Sequence, residues 1–295
     1  MNLFNNLKWK FLNNLPDKLY LKIMFYKHTR KKLNLRNPKT YNEKLQWLKL
    51  YNRKPEYTMM VDKYKVREYI KNKLGEEYLI PLLGVWDKPE QINFSLLPNQ
   101  FVLKCNHNSG TGMYICEDKS QINEENIKNG LRDGLRENYY LTGREWPYKN
   151  VPRKIICEKY MKDFTTNELR DYKFYCFNGE VKMVMVNSGR LTNDTRADYF
   201  DRDFNWLNID WGYKHTKESL KKPIKYKEMI EIAEILSEGM PHVRIDLYEC
   251  NNQIYFGEIS FFDGSGFDLI SPEEWDLKLG SWIILPQRVD NNKNI

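Results

Sequence analysis

A chain of 295 residues with 41% hydrophobic and 14% aromatic side chains can bury one large or two modest cores and is too apolar to be disordered. Its net charge of +7 is uneven, since residues 1–73 hold nineteen Lys and Arg against five Asp and Glu and the remainder holds 28 against 35. No apolar run nears the ~20 residues of a membrane span, no secretory signal opens the chain, and Cys105, Cys116, Cys157, Cys176 and Cys250 form no CxxC pair, so zinc is not expected and reduced, buried thiols in a cytoplasmic protein are.

The basic end points to an anionic partner, with a plain solvated basic face as the equal alternative. A membrane surface or an anionic polysaccharide fits better than nucleic acid. Residues 1–36 read as helical, with Leu19, Ile23, Met24 and Tyr26 alternating with Lys18, Lys22, Arg30, Lys31 and Lys32. That is the composition of an interfacial helix, though packing on the main domain is the more expected use. Asn37-Pro38 breaks the pattern. Thr40 with Glu43 three residues on is a capping box, and it opens a helix with Leu45, Trp47 and Leu48 inward. A further helix is expected over Met60–Leu74, with Gly75 as its cap. Tyr78–Pro81 reads as a short strand, followed by Val85-Trp86.

Phe101–Asn106 reads as a buried strand ending in a lysine. His107–Gly112 is a small-residue loop, and Met113–Cys116 returns as a strand. Such a flap offers free backbone N–H groups to an anion, and Lys104 offers a point charge for phosphate. Most such loops are plain hairpin turns, and this one is not a Walker A loop. Residues 121–141 keep helical spacing, and Lys154–Met161 is a strand. Asp171–Val186 is a hairpin about Asn178-Gly179. Asp201-Arg202-Asp203 matches the metal triplet of nucleotide-sugar transferases but is far more often a surface turn. Glu228–Gly239 is an amphipathic helix, Phe261–Phe267 a tight loop, and Trp275–Leu285 a last helix.

The stretch Val243–Ser260 is a second hairpin. A three-residue loop at Asn251–Gln253 sets Asp246 opposite Glu258. Arg244, Asp246, Glu258 and Ser260 then share one face, and Val243, Ile245, Leu247, Tyr255 and Ile259 the other. Adjacent carboxylates repel unless a cation lies between them, and oxygen-only ligands suit Mg²⁺, which usually also holds phosphate. Solvated acidic residues on an open face are the equally weighted alternative.

In this order the motifs resemble the ATP-grasp superfamily, and the run from 38 to about 285 resembles its TupA-like group. The resemblance implies an α+β fold in which two sheet-bearing lobes clasp a nucleotide. Residues 1–75 would form a mostly helical region and 76–286 the ATP-grasp domain, with its small lobe near 100–160 and large lobe near 161–286. Residues 287–295 would be a frayed tail. By the same resemblance, ATP is contacted by Lys63, Lys104 and the loop Ser109, Gly110, Thr111, Gly112. Glu158, Lys159 and Tyr160 form the hinge whose backbone reads adenine. Lys173 faces phosphate, with Asp171 holding it in place, and Arg244 steadies the transferring group. Asp246, Glu258 and Ser260 hold Mg²⁺. Many members carry Asn where Ser260 stands, so one ion is more firmly implied than two. The implied activity is an ATP-dependent carboxylate–amine ligase acting through an acyl phosphate. Its setting would be joining an amino acid or peptide to a sugar acid of a capsular or wall polymer, such as a teichuronopeptide. Peripheral attachment at the inner membrane face, or a lipid-linked glycan bound by the basic end, would suit that role. A glycosyltransferase using Asp201 and Asp203 is the alternative. A non-catalytic binding protein is a third reading, opposed by the intact Lys104, Asp246 and Glu258.

Overall fold

The computed structural model describes residues 12–164, 169–189, 194–216 and 219–287. Residues 1–11 of the expected helical run and 288–295 of the expected tail lie outside them. Helix α1 (Asp17–Thr29) buries Tyr20, Leu21, Met24 and Phe25 in a cluster with Phe267. The expected stripe is therefore rotated: Met24 packs inward, while Leu19, Ile23 and Tyr26 are exposed beside Lys18, Lys22 and Lys27. Helix α2 (Tyr41–Tyr51) starts on the expected capping box, with Thr40 Oγ1 accepting from Glu43 N and Glu43 Oε2 from Thr40 N.

The single helix expected over Met60–Leu74 is two, α3 (Pro55–Val61) and α4 (Val66–Lys73). The break has a local cause. Asp62 Oδ1 accepts from Tyr64 N (2.9 Å), Lys65 N (3.2 Å) and Asn106 Nδ2 (2.7 Å), so its side chain replaces the helical bonds. Tyr78–Pro81 is not a strand. Glu76–Tyr78 is a 3₁₀ turn, Leu79 makes one bridge to Phe256, and the extended run begins at Leu82.

A four-stranded antiparallel sheet has the order β1-β4-β2-β3, from β1 (Leu82–Trp86), β2 (Phe101–Cys105), β3 (Tyr114–Cys116) and β4 (Ile155–Lys159). Helix α5 (Glu124–Arg136) packs Ile127 and Leu131 against Phe101, Leu103 and Cys105 of this sheet. A one-turn helix, α6 (Tyr140–Gly143), follows. The second sheet is six-stranded, in the order β10-β9-β5-β6-β7-β8. Its strands are β5 (Asp171–Phe177), β6 (Glu180–Ser188), β7 (Arg196–Asp201), β8 (Trp206–Leu207), β9 (His242–Cys250) and β10 (Gln253–Ser260). Helix α7 (Tyr226–Ser237) covers one face with Met229, Ile232, Ala233 and Leu236, all buried. Helix α8 (Glu273–Trp282) lies against α2.

Both expected hairpins form. Asn178 and Gly179 turn the first with φ of 53° and 84°. The second turns on two residues rather than three, Asn251 and Asn252, both at positive φ, so Gln253 pairs with Cys250. That turn alone would set Gly257 opposite Asp246. A bulge between Phe256 and Glu258 takes up the extra residue and returns Glu258 to Asp246 and Ser260 to Arg244. Before the bulge the faces are exchanged. Ile254 and Phe256, not Tyr255, are the β10 residues buried with Leu247. A Cβ on Gly257 would lie 2.9 Å from the Asp246 carbonyl oxygen, which is why glycine sits there.

Candidate active site

The open face of the six-stranded sheet carries a row of buried charges. Register sets Lys173 of β5 opposite Asp246 of β9. The Lys173 ammonium lies 2.5 Å from Asp171 Oδ2 and 2.5 Å from Asp246 Oδ2. Arg244 donates from Nε to Asp246 Oδ1 (2.7 Å) and from Nη2 to Asp246 Oδ2 (2.8 Å), a bidentate fork. The same Nη2 reaches Glu258 Oε1 and Ser260 Oγ, both at 3.3 Å, and Nη1 donates to Asp263. Burial works against the charge on Lys173 and Arg244. The surrounding carboxylates outweigh it and raise both pKa values, Asp171 and Asp246 for Lys173, Asp246 and Asp263 for Arg244.

The smaller sheet and the helix break face this row with two more cations. Lys63 sits in the break after α3, where its N–H donates to Asn106 O (3.1 Å) and its ammonium to Asn108 O (2.6 Å). That ammonium lies 3.9 Å from Glu258 Oε2, so the helix break meets the acidic row there. Burial first, then the charge of Lys104, lower the pKa of Lys63, and Glu258 opposes them. Lys104 pairs with Glu158 Oε2 at 2.7 Å, and Arg67 holds the other oxygen of Glu158 at 3.4 Å. The loop Ser109, Gly110, Thr111, Gly112 has an exposed tip and a tethered base. Asn108 Nδ2 donates to Glu137 Oε2 (2.8 Å), and Gly112 O accepts from Cys105 N (3.2 Å). Gly110 and Gly112 take φ of 87° and 71°, which only glycine adopts without strain.

A family model described as TupA-like ATP-grasp matches residues 43–284, most of the chain and all of this row. The chain belongs to the TupA-like ATP-grasp family. No curated protein matches it. Solved structures to which it is similar include a D-alanine–D-alanine ligase from Bacillus anthracis complexed with ATP. That likeness has 13% identity and a TM-score of 0.41, over 69% of this chain and 54% of that one. A D-alanine–D-alanine ligase from Helicobacter pylori is 12% identical with a TM-score of 0.45, over 82% and 69%. The ATP-grasp ligase PsnB with minimal precursor, Mg and ADP is 10% identical with a TM-score of 0.39, over 76% and 60%. The chain thus spans little more than half the length of the first of these.

In this ATP-grasp chain the structure gathers Lys63, Lys173, Arg244, Asp246, Glu258 and Ser260, with Ser109 lining the same cavity. Lys104 lies close enough for its charge to act on Lys63. The hinge residues divide. The buried Glu158 side chain belongs with Lys104, while the Lys159 side chain is exposed and its N–H donates to Pro81 O (2.9 Å). Tyr160 points away to Glu117 Oε1 (3.0 Å). Asp201 is used by its own turn, accepting from Asp203 N, Asn205 N and Asn205 Nδ2. Sequence reasoning missed Asp263, which accepts from Arg244 and, at 2.6 Å, from the Tyr175 hydroxyl. The signal was available, since Asp263-Gly264 lies within the tight loop, three residues after Ser260. It also missed Arg67, which has no motif around it.

The oxygen set fits a phosphate-borne ion better than a protein cage. Among the described residues no three His, Cys, Asp or Glu side chains are grouped to hold a metal. Asp246 is engaged closely by Arg244 and Lys173, whereas Glu258 is met at longer range by Arg244 (3.3 Å), Ser260 (3.3 Å) and Lys63 (3.9 Å), with a third of its side chain exposed. Mg²⁺ typically uses one or two carboxylates plus phosphate oxygens, and Glu258 beside Asp246 offers the carboxylates of such a set.

Proposed function

We propose that this protein is an ATP-dependent carboxylate–amine ligase acting through an acyl phosphate. The observation that carries the reading is the convergence of Lys63, from the break between two N-terminal helices, on the Lys173–Asp246–Arg244–Glu258 row of the six-stranded sheet. Lys63 and Lys104 would neutralise phosphate oxygens, and the 109–112 loop would close over them and exclude water. Mg²⁺ on Glu258, with Asp246 and Ser260 beside it, would offset phosphate charge when bound. The backbone of Glu158–Tyr160 would hold adenine. A substrate carboxylate oxygen forms a bond to the γ-phosphorus as the bond to the β-phosphate oxygen breaks. Arg244, held by Asp246 and Asp263, steadies the transferring group. An amine nitrogen then bonds to the acyl carbon and phosphate leaves.

The substrate class we favour is a sugar acid joined to an amino acid or peptide, in a cell-surface polysaccharide such as a capsular or teichuronopeptide polymer. No helix among the described residues is long and apolar enough to cross a membrane. The exposed Leu19, Ile23 and Tyr26 among lysines on α1 suit peripheral contact with an anionic inner-face membrane or a lipid-linked glycan. Thermal shift with MgATP, MgADP and a panel of Mg²⁺ nucleotide sugars tests the nucleotide site. A ligand at about 100 times its Kd adds roughly 2.7 kcal/mol to the native state. A rise with MgATP that Lys104→Ala removes supports the reading. A rise with nucleotide sugars alone overturns it.

A further inference from the structure

The charged row opens into a cavity of about 250 Å³. Lys173, Arg244, Tyr199, Trp211, Tyr213 and Asp268 all line it. The wall is rigid. Tyr199 and Trp211 are buried and stacked, with centroids 6.0 Å apart and planes 11° apart, and the Tyr199 hydroxyl donates to Trp211 O at 2.8 Å. Tyr213, by contrast, is 47% exposed and offers its ring to whatever enters.

Asp268 is built to stand there. Asn42 Nδ2 donates to its backbone carbonyl at 2.8 Å. Its carboxylate leans over Gly264, with Oδ2 2.1 Å from where a Cβ on that glycine would be. The other carboxylates on this cavity are matched within the chain: Asp263 by Arg244 and Tyr175, Glu258 by Arg244 and Lys63. The Asp268 carboxylate has no hydrogen-bond or ion-pair partner among the described residues. The residue is open to solvent on its outer side, yet crowding by the chain and then the charge of Asp263 push its pKa up to about 6. A cation entering the cavity would meet an unmatched carboxylate there.

We propose that the part of the cavity lined by Asp268, Trp211 and Tyr213 is the amine subsite, where the nucleophile enters as an ammonium ion with Asp268 as its counter-ion beside the aromatic rings. The inference rests on the ligase reading for its chemistry. The ammonium gives one proton to the Asp268 carboxylate, and the freed nitrogen pair forms the C–N bond. The acyl carbon–oxygen bond to phosphate breaks, phosphate leaves with that electron pair, and the second nitrogen proton departs with it. A neutral nucleophile has no use for Asp268. A carboxylate there would be repelled by it.

The test is direct binding, which needs no turnover. Saturation-transfer NMR is run on the MgADP-loaded protein with alanine amide, glucosamine and putrescine, each beside its N-acetylated neutral form. The amines should bind and the acetylated forms should not. Asp268→Asn should weaken amine binding about tenfold or more, and Tyr213→Ala should weaken it less. Asp268 is exposed enough that its substitution leaves the fold intact, and an unchanged melting temperature checks this. Absent amine binding, equal binding of the neutral forms, or an undiminished signal in Asp268→Asn overturns the subsite. None of these outcomes bears on MgATP-dependent hydroxamate formation with hydroxylamine, which tests the ligase reading separately.

Discussion

Lys173→Met tests the reading of the charged row most sharply. The Lys173 side chain is 9% exposed, and those of its partners Asp171 and Asp246 are 1% exposed. Methionine keeps the length and removes the cation, taking the Lys173 ion pair from both Asp171 and Asp246 and leaving Asp246 to Arg244. Removing one member of a buried ion pair costs about 3–5 kcal/mol, because the remaining charge is stranded away from water. In a chain of this size each kcal/mol lowers Tm by about 2–4 °C, so a fall of about 6–20 °C is expected in calorimetry. Adding Asp171→Asn removes one stranded charge and should recover a large part of the loss. Mg²⁺ should raise Tm more in Lys173→Met than in the parent, since it supplies positive charge to the same carboxylates. A fall of under about 2 °C, with no gain in the double variant, would refute the claim that Lys173 holds these two carboxylates in place.

Two further outcomes follow from the packing. A Cβ on Gly134 would lie 2.7 Å from Gly112 Cα and 2.8 Å from Cys105 Sγ, so Gly134→Ala should destabilise by about 1–3 kcal/mol and, on the proposed function, weaken MgADP binding by displacing the 109–112 loop; calorimetry and titration check both. His242 is buried, with Nδ1 2.9 Å from Cys176 O and Nε2 2.9 Å from the Tyr41 hydroxyl, and burial lowers its pKa to about 4. Between pH 6.5 and 4 the folded state then holds fewer protons than the unfolded, so stability falls as pH drops, by roughly 3 kcal/mol across the window. Urea unfolding at stepped pH should show this slope in the parent and lose it in His242→Gln.

Much of the fold could be read from residues whose local chemistry leaves little choice. Thr40 with Glu43 capped its helix, Asn178-Gly179 turned its hairpin, and both followed from short-range rules. The charged face of Val243–Ser260 was also legible, but for an incomplete reason. Turn length and bulge shift the register by one residue each, in opposite senses, and only their sum is set by the need to bury Ile245 and Ile259 together. The break at Asp62 was missed because its side chain needs Asn106, distant in sequence, to complete the arrangement. The rotation of α1 was missed because the stripe that packs is chosen by Phe267, near the other end of the chain. Asp263 and Asp268 escaped for the same reason, since their importance lies in what Arg244 and the aromatic wall bring to them.

The central claim is that a substrate carboxylate attacks the γ-phosphate of ATP. Incubating the protein with MgATP and sugar acids carrying oxygen-18 in the carboxyl group, with an amine acceptor present, tests it by ³¹P NMR of the phosphate released. One labelled oxygen in the phosphate, formed together with ADP, is the predicted result. Unlabelled phosphate, or AMP and pyrophosphate as products, would contradict the account.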